Sequence, residues 1–238
     1  MDTRQHKNHL YEQVARLGKA FSSSKRLELL DLLTQGEKSV ETLAQQADID
    51  LRLCSAHLRA LREAQLVRTQ RAGKHVFYRL ASDDAASLWV TLRNSAEQHL
   101  LELQLAMQQM GNHSAALTRE DRLSLMRRAQ RGEITVLDVR PANEFTTAHL
   151  PFARSLPLSE LRARIDELPR DQTVVAYCRG PFCMMSDQAV ELLRAHGFVA
   201  EKLRDGINEW RAAGLSLEIP SPVSSPPKSA HPFARRLS

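Results

Sequence analysis

The sequence predicts two domains of different class: a mainly α winged helix-turn-helix with a β-wing, followed by an α/β domain with a parallel sheet. Three observations predict this. Leucines recur at spacings of three and four through the first third of the chain, and the pattern changes to β-like runs at residues 66–80. Past residue 113, short β-branched runs alternate with helical stretches. The length of 238 residues suits one large domain or two small ones. The expected boundaries are residues 1–112 and 113–219, with a disordered Pro/Ser-rich basic tail at 220–238.

Taken in order, Leu27, Leu29, Leu30, Leu32 and Leu33 fit a helix beginning at Ser24 and stopping at Gly36, a residue suited to helix C-termini. Ser39 is placed to cap a second helix over 40–47, with Leu43 and Ala44 facing inward. After a turn at 48–50, a third helix carries Leu51, Cys54, Leu58 and Leu61. Two helices joined by a tight turn, the second one basic, make a helix-turn-helix. Residues 66–70 and 75–80 then read as strands around the glycine-containing turn 71–74, a wing. From Ser82 to Met110 there is no Gly or Pro, so a single helix about 40 Å long is expected at ~1.5 Å per residue. Its apolar residues exceed what a small domain covers, and a homodimer seam over residues 84–110 is the expected use.

In the second half, residues 134–139, 173–177 and 198–203 read as strands, and 187–196 as a helix. A ligand site is expected at the carboxyl ends of such parallel strands. Cys178 stands there, directly after the second of these strands. Backbone N–H groups of residues 179–184, together with the positive end of the following helix, would surround its sulfur and favour the thiolate. The alternative is a packed strand-end cysteine.

Composition excludes several classes. With 42% hydrophobic and 26% charged residues the chain can bury ordinary cores, yet no run nears the ~18 apolar residues of a membrane span. The first residues lack an apolar signal segment, and three cysteines do not make a disulfide scaffold, so a reducing cytoplasm is expected. Net charge is +5, and residues 52–79 hold seven basic residues against Glu63 alone. That segment is a candidate phosphate-binding surface. The last 19 residues contain five prolines, five serines and three basic residues.

Residues 11–110 resemble the ArsR/SmtB family of dimeric transcriptional regulators. The resemblance is carried by Ser55-Ala56-His57-Leu58-Arg59-Ala60-Leu61-Arg62-Glu63-Ala64-Gln65-Leu66-Val67 and by Gly73-Lys74-His75-Val76-Phe77-Tyr78-Arg79-Leu80. It implies a dimer on double-stranded operator DNA with an inverted repeat, half-sites roughly 34 Å apart. Arg52, Ser55, Ala56 and Arg59 would face base edges and phosphates, and Arg71 and Lys74 the backbone or minor groove. His57 would sit between helices as a structural residue. The thiol pair of the family's metal sensors is missing from helix 40–47, so no metal or other cofactor is expected.

Residues 118–218 resemble a rhodanese domain. The carrying stretches are Leu137-Asp138-Val139-Arg140-Pro141, Glu144-Phe145, His149-Leu150-Pro151-Phe152-Ala153, Tyr177-Cys178-Arg179-Gly180 and Asp205-Gly206-Ile207-Asn208-Glu209-Trp210. Ala148, Phe152 and Asp205 replace usual glycines. The resemblance implies that Cys178 takes sulfane sulfur from a small donor, thiosulfate or polysulfide, as a persulfide and passes it to a thiol acceptor. Arg179 and Gly180 belong to the sulfur-binding loop, while Asp138, Arg140 and Glu144 would organise its mouth. Cys183 either resolves the persulfide as a disulfide or merely opens the next helix. Cys54 is a further redox candidate or a packing residue. The functional expectation is a repressor responding to reactive sulfur or thiol oxidation through Cys178. The alternatives are a sulfurtransferase with an autoregulatory DNA-binding domain, and a metal or metalloid sensor.

Overall fold

A computed structural model describes residues 2–73, 75–109, 117, 118 and 120–219. Lys74, the 111–114 junction and the tail over 220–238 lie outside them. The first domain opens with α1 (Thr3–Phe21), α2 (Ser24–Thr34), β1 (Lys38–Ser39), α3 (Val40–Gln46) and α4 (Leu51–Glu63). The hairpin β2 (Val67–Ala72) and β3 (His75–Leu80) follows, then α5 (Asp83–His99) and α6 (Leu101–Gln109). Capping explains the sharp starts. Ser39 Oγ accepts from the Thr42 N–H, and Asp50 Oδ1 accepts from the N–H groups of Arg52 and Leu53, both at 2.9 Å. Buried Leu29, Leu30, Leu33, Leu43, Leu58 and Leu61 make one core between these helices.

Three features here depart from expectation or were not foreseen. The long helix over 82–110 is broken at Leu100, whose backbone is extended. Gln104 Nε2 donates to the carbonyls of Glu97 and Gln98, satisfying groups that a continuous helix would have bonded itself. β1 adds a third strand to the hairpin, pairing Lys38 with Tyr78 and Ser39 with Phe77. The helix α1 was also not foreseen. Its apolar residues Leu10, Tyr11, Val14 and Leu17 are exposed in the single chain, as are Leu88 and Leu92 on α5.

The second domain comprises α7 (Arg122–Gln130), β4 (Ile134–Asp138), α8 (Ala142–Phe145), β5 (Arg154–Ser155) and α9 (Leu158–Arg164). Then come β6 (Thr173–Tyr177), α10 (Met185–Ala195), β7 (Ala200–Lys202) and α11 (Ile207–Ala212). Its four strands run parallel in the order β5-β4-β6-β7. Alternation along β4 and β6 builds two cores. Leu137, Val174, Ala176 and Cys178 pack with Leu161 of α9 and Leu193 of α10. On the other face Val136, Val175 and Tyr177 pack with Leu125 of α7 and Trp210 of α11. Among the described residues no helix is long and apolar enough to cross a membrane.

Candidate functional site

The chain leaves β6 at Tyr177, and Cys178 is the first residue beyond the strand. Period-two alternation turns its side chain toward the α10 face of the sheet. There the thiol is 2% exposed, not open at a pocket mouth as the sequence suggested. Its Sγ lies 3.2 Å from Ser186 Oγ and, as a thiol, donates to the Cys183 carbonyl at 3.3 Å. Burial alone would raise its pKa. Hydrogen bonds from the Cys183 and Ser186 side chains and from the N–H groups of Ser186 and Gly180 outweigh burial and lower it to about 7. The neighbouring Cys183 thiol is pushed far the other way, by its bond to Cys178 first and by burial second. Of the two, Cys178 is therefore the one that gives up its proton first and carries the negative charge. Both are free thiols.

The loop that holds this sulfur rests on a glycine. A Cβ on Gly206 would stand 2.4 Å from the Arg179 carbonyl oxygen and 2.8 Å from that of Cys178, so the loop backbone lies directly against it. Gly180 adopts φ +144 beside the Glu209 carboxylate. Glu209 accepts from the Gly206 N–H at 2.7 Å and pairs with Arg93 of α5.

A buried polar layer joins the site to the first domain. Arg140 clasps Asp138 through Nε at 2.9 Å and Nη2 at 2.5 Å, and Tyr177 donates to the same carboxylate at 2.5 Å. The Arg140 Nη1 crosses the domain boundary to Gln35 Oε1 at 2.9 Å. Arg179, next to Cys178, gives Glu144 bonds of 3.0 Å from Nε and 2.7 Å from Nη2. Glu144 accepts a further bond at 2.8 Å from Lys38 Nζ of β1. Burial raises the Glu144 pKa, but its two cations outweigh burial and hold it below the ordinary carboxylate value. Burial draws the Lys38 pKa down and Glu144 opposes it. Asn208 donates to Thr34 Oγ1 at 2.6 Å, and Phe182 of the loop meets Trp89 of α5 edge to face.

Between the domains lies a cavity of about 380 Å³, walled by Arg179, Phe182 and Cys183 on the loop side and by residues of α2, α3 and α5 on the other. Cys178 itself lies behind Cys183, outside the lining. The remaining candidates separate from this site. Arg52, Ser55, Ala56 and Arg59 share the exposed face of α4 and line a shallow hollow there. Arg71 is exposed on β2, which runs two residues further than expected, to Ala72, while Lys74 lies outside the described residues. His57 is half-buried, not enclosed, and its pKa is lowered by burial and then by Arg26. Cys54 is fully buried in the first core, its thiol pushed up to about 11 by burial and then by Asp50. Sequence reasoning missed Lys38, Gln35, Arg93 and Gly206 as site neighbours; only Gly206 stood in a quoted motif.

Comparison with known proteins follows the same division. A helix-turn-helix domain family matches residues 21–70, and the rhodanese-like domain family matches residues 122–213. The chain is 41% identical over 215 residues to the HTH-type transcriptional regulator Rv0324 of Mycobacterium tuberculosis, covering 90% of this chain and 94% of that one. It is 46% identical over 76 residues to the biofilm growth-associated repressor of Agrobacterium fabrum, covering 32% and 65%. The solved homodimeric winged helix-turn-helix DNA-binding domain of Mb0332 from Mycobacterium bovis shares 40% identity, with a TM-score of 0.39, over 43% of this chain and 93% of that one.

Proposed function

Because the chain belongs to the HTH-type transcriptional regulators, with an ArsR-type winged helix-turn-helix and a rhodanese domain, we propose that the sulfur state of Cys178 sets its affinity for operator DNA. One observation carries this reading: Arg179, adjacent to Cys178, is bonded to Glu144, and Glu144 to Lys38 of the strand paired with wing strand β3. Loading sulfur at Cys178 enlarges a side chain that is already enclosed, so the loop must move. Its movement is transmitted through Glu144 to Lys38 and the wing.

The chemistry balances without an outside oxidant. The Cys178 thiolate attacks the outer sulfur of a donor R–S–SH, forming Cys178–S–SH and releasing R–S⁻. Cys183 then attacks the inner sulfur, giving a Cys178–Cys183 disulfide and releasing hydrogen sulfide. The two thiols are oxidised and the sulfane sulfur is reduced.

In this reading the exposed face of α4 enters the major groove of an inverted repeat, and the open apolar stripes of α1 and α5 meet a second copy of the chain. The burial of Cys178 counts against direct access of a donor, so the loop 179–184 must open before sulfur is loaded. Gel-shift titration with and without polysulfide tests the proposal. A donor-dependent change in wild type that Cys178→Ser abolishes is expected. Equal affinities with and without donor in the wild type would refute it.

A further inference from the structure

We propose that the cavity between the domains binds a low-molecular-weight aminothiol persulfide, its amine toward Asp31 and Gln46 and its sulfur toward Cys183. The inference deepens the proposed function and rests on it, because it names the donor that reaches the same cysteines. At about 380 Å³ the cavity has the size of a small organic molecule, not of a single ion.

Its charges are unequally satisfied. Arg179 is neutralised by Glu144, and Glu28 pairs with Lys25 at 2.9 Å. Asp31 takes the Trp89 Nε1–H at 2.7 Å, and among the described residues no ion pair reaches it. Burial, the largest influence, holds its carboxyl up at about 6 against the Trp89 hydrogen bond and the charges of Arg93 and Arg179, neither of which is bonded to it. Gln46 Oε1 is buried without a hydrogen-bond partner and belongs to the same wall. Two acceptors that no cation bonds among the described residues therefore stand on one side, Leu27, Leu32, Trp89 and Phe182 supply apolar surface, and a thiol stands on the other side. A short chain with an ammonium group at one end and sulfur at the other fits this order. Thiosulfate, a dianion, would bring negative charge to Asp31 and Glu28.

Because Cys183 lines the cavity and Cys178 lies behind it, the donor docks against Cys183 and is met by the Cys178 thiolate when the loop moves. The thiolate attacks the outer sulfur of R–S–SH, giving Cys178–S–SH and R–S⁻, the same step as in the proposed function.

The full chain is treated with cysteamine persulfide or with 3-mercaptopropionate persulfide, a comparably short donor of opposite charge, and sulfur on each cysteine is followed by mass spectrometry. The amine donor is expected to react roughly tenfold faster. Asp31→Asn and Gln46→Leu should each shrink that preference, and a wild-type circular dichroism spectrum and melting profile report that the variants are folded. Equal rates of the two donors in wild type, or a preference retained in both variants, would overturn the proposal. If inorganic polysulfide still alters DNA binding in that case, the proposed function stands and the cavity assignment alone fails. If it does not, the proposed function fails whatever the donor preference.

Discussion

Replacing Lys38 by Met separates sulfur chemistry from its transmission. Lys38 Nζ and Glu144 Oε1 are 2.8 Å apart, and both side chains are 1% exposed. Removing the ammonium deletes a charge-assisted hydrogen bond of about 1.5–3 kcal/mol. Two effects reduce the loss: Glu144 keeps Arg179, and the methionine avoids the burial that pulls the Lys38 pKa down. A net destabilisation of about 1–2 kcal/mol is expected, small beside a typical folding free energy of ~5–15 kcal/mol. Denaturant titration measures it. The informative assay pairs mass spectrometry of Cys178 with gel shifts on the same samples. In wild type, a coupling of ~1.4 kcal/mol would appear as a tenfold change in operator affinity on sulfur loading. In Lys38→Met, Cys178 should still acquire sulfur while the affinity change falls within about twofold, and Lys38→Arg should restore it. A full donor response in Lys38→Met would refute transmission through this ion pair.

The same geometry yields three further predictions. The pKa of Cys178 is depressed, so its alkylation rate should level off above about pH 7 and fall as the pH drops through that value. The corresponding stability contribution is complete above the unfolded thiol's value of about 9 and is lost toward pH 7; Ser186→Ala should move the reactivity midpoint upward, and an unmoved midpoint would exclude that hydrogen bond as a cause. Gly206→Ala places Cβ 2.5 Å from the Arg179 carbonyl carbon, and the loop must shift at a cost of about 1–3 kcal/mol, with loss of the depressed Cys178 pKa; wild-type thiol titration in this variant would contradict that account. Arg59→Ala on the exposed face of α4 should weaken DNA binding and, if its contact is to phosphate, lower the salt slope by about 0.9; an unchanged affinity would remove Arg59 from the interface.

The two-domain layout was readable because its signals are local. Ser39 and Asp50 cap the helices whose leucines repeat at helical spacing, and the β-branched runs of β4 and β6 are bounded by turns. The helix α1 was missed although Leu10, Val14 and Leu17 stand at helical spacing, and the structure leaves them exposed in the single chain. Nothing in the composition of residues 82–110 announces the break at Leu100, where side-chain amide bonds from Gln104 replace backbone ones. At the candidate site, Cys178 and its turn could be recognised from neighbouring residues. The polar layer could not: Lys38 and Glu144 are 106 positions apart, and Arg93 and Glu209 116 apart. In sequence a lysine bound for a buried pair has the same signature as one facing water. The burial of Cys178 is illegible for the same reason, since Cys183, which covers it, reads equally as a resolving thiol or as a helix-opening residue.

The enclosure of Cys178 makes reactivity and domain packing two aspects of one equilibrium. Its thiolate is favoured by four hydrogen-bonding groups yet is 2% exposed, so a reagent reaches it only when the loop 179–184 moves. That loop is fastened to the first domain by Arg179 through Glu144 and by Phe182 on Trp89. If one form of the cysteine pair binds operator tenfold more tightly, thermodynamic reciprocity requires the operator to favour that form by the same ~1.4 kcal/mol. For a two-electron dithiol–disulfide couple this is a shift of about 30 mV. Redox titration of the Cys178–Cys183 pair with and without operator DNA measures it, the sign giving the direction of the response. A tenfold affinity change accompanied by an unmoved potential would break the cycle and place the origin of the DNA response at another group.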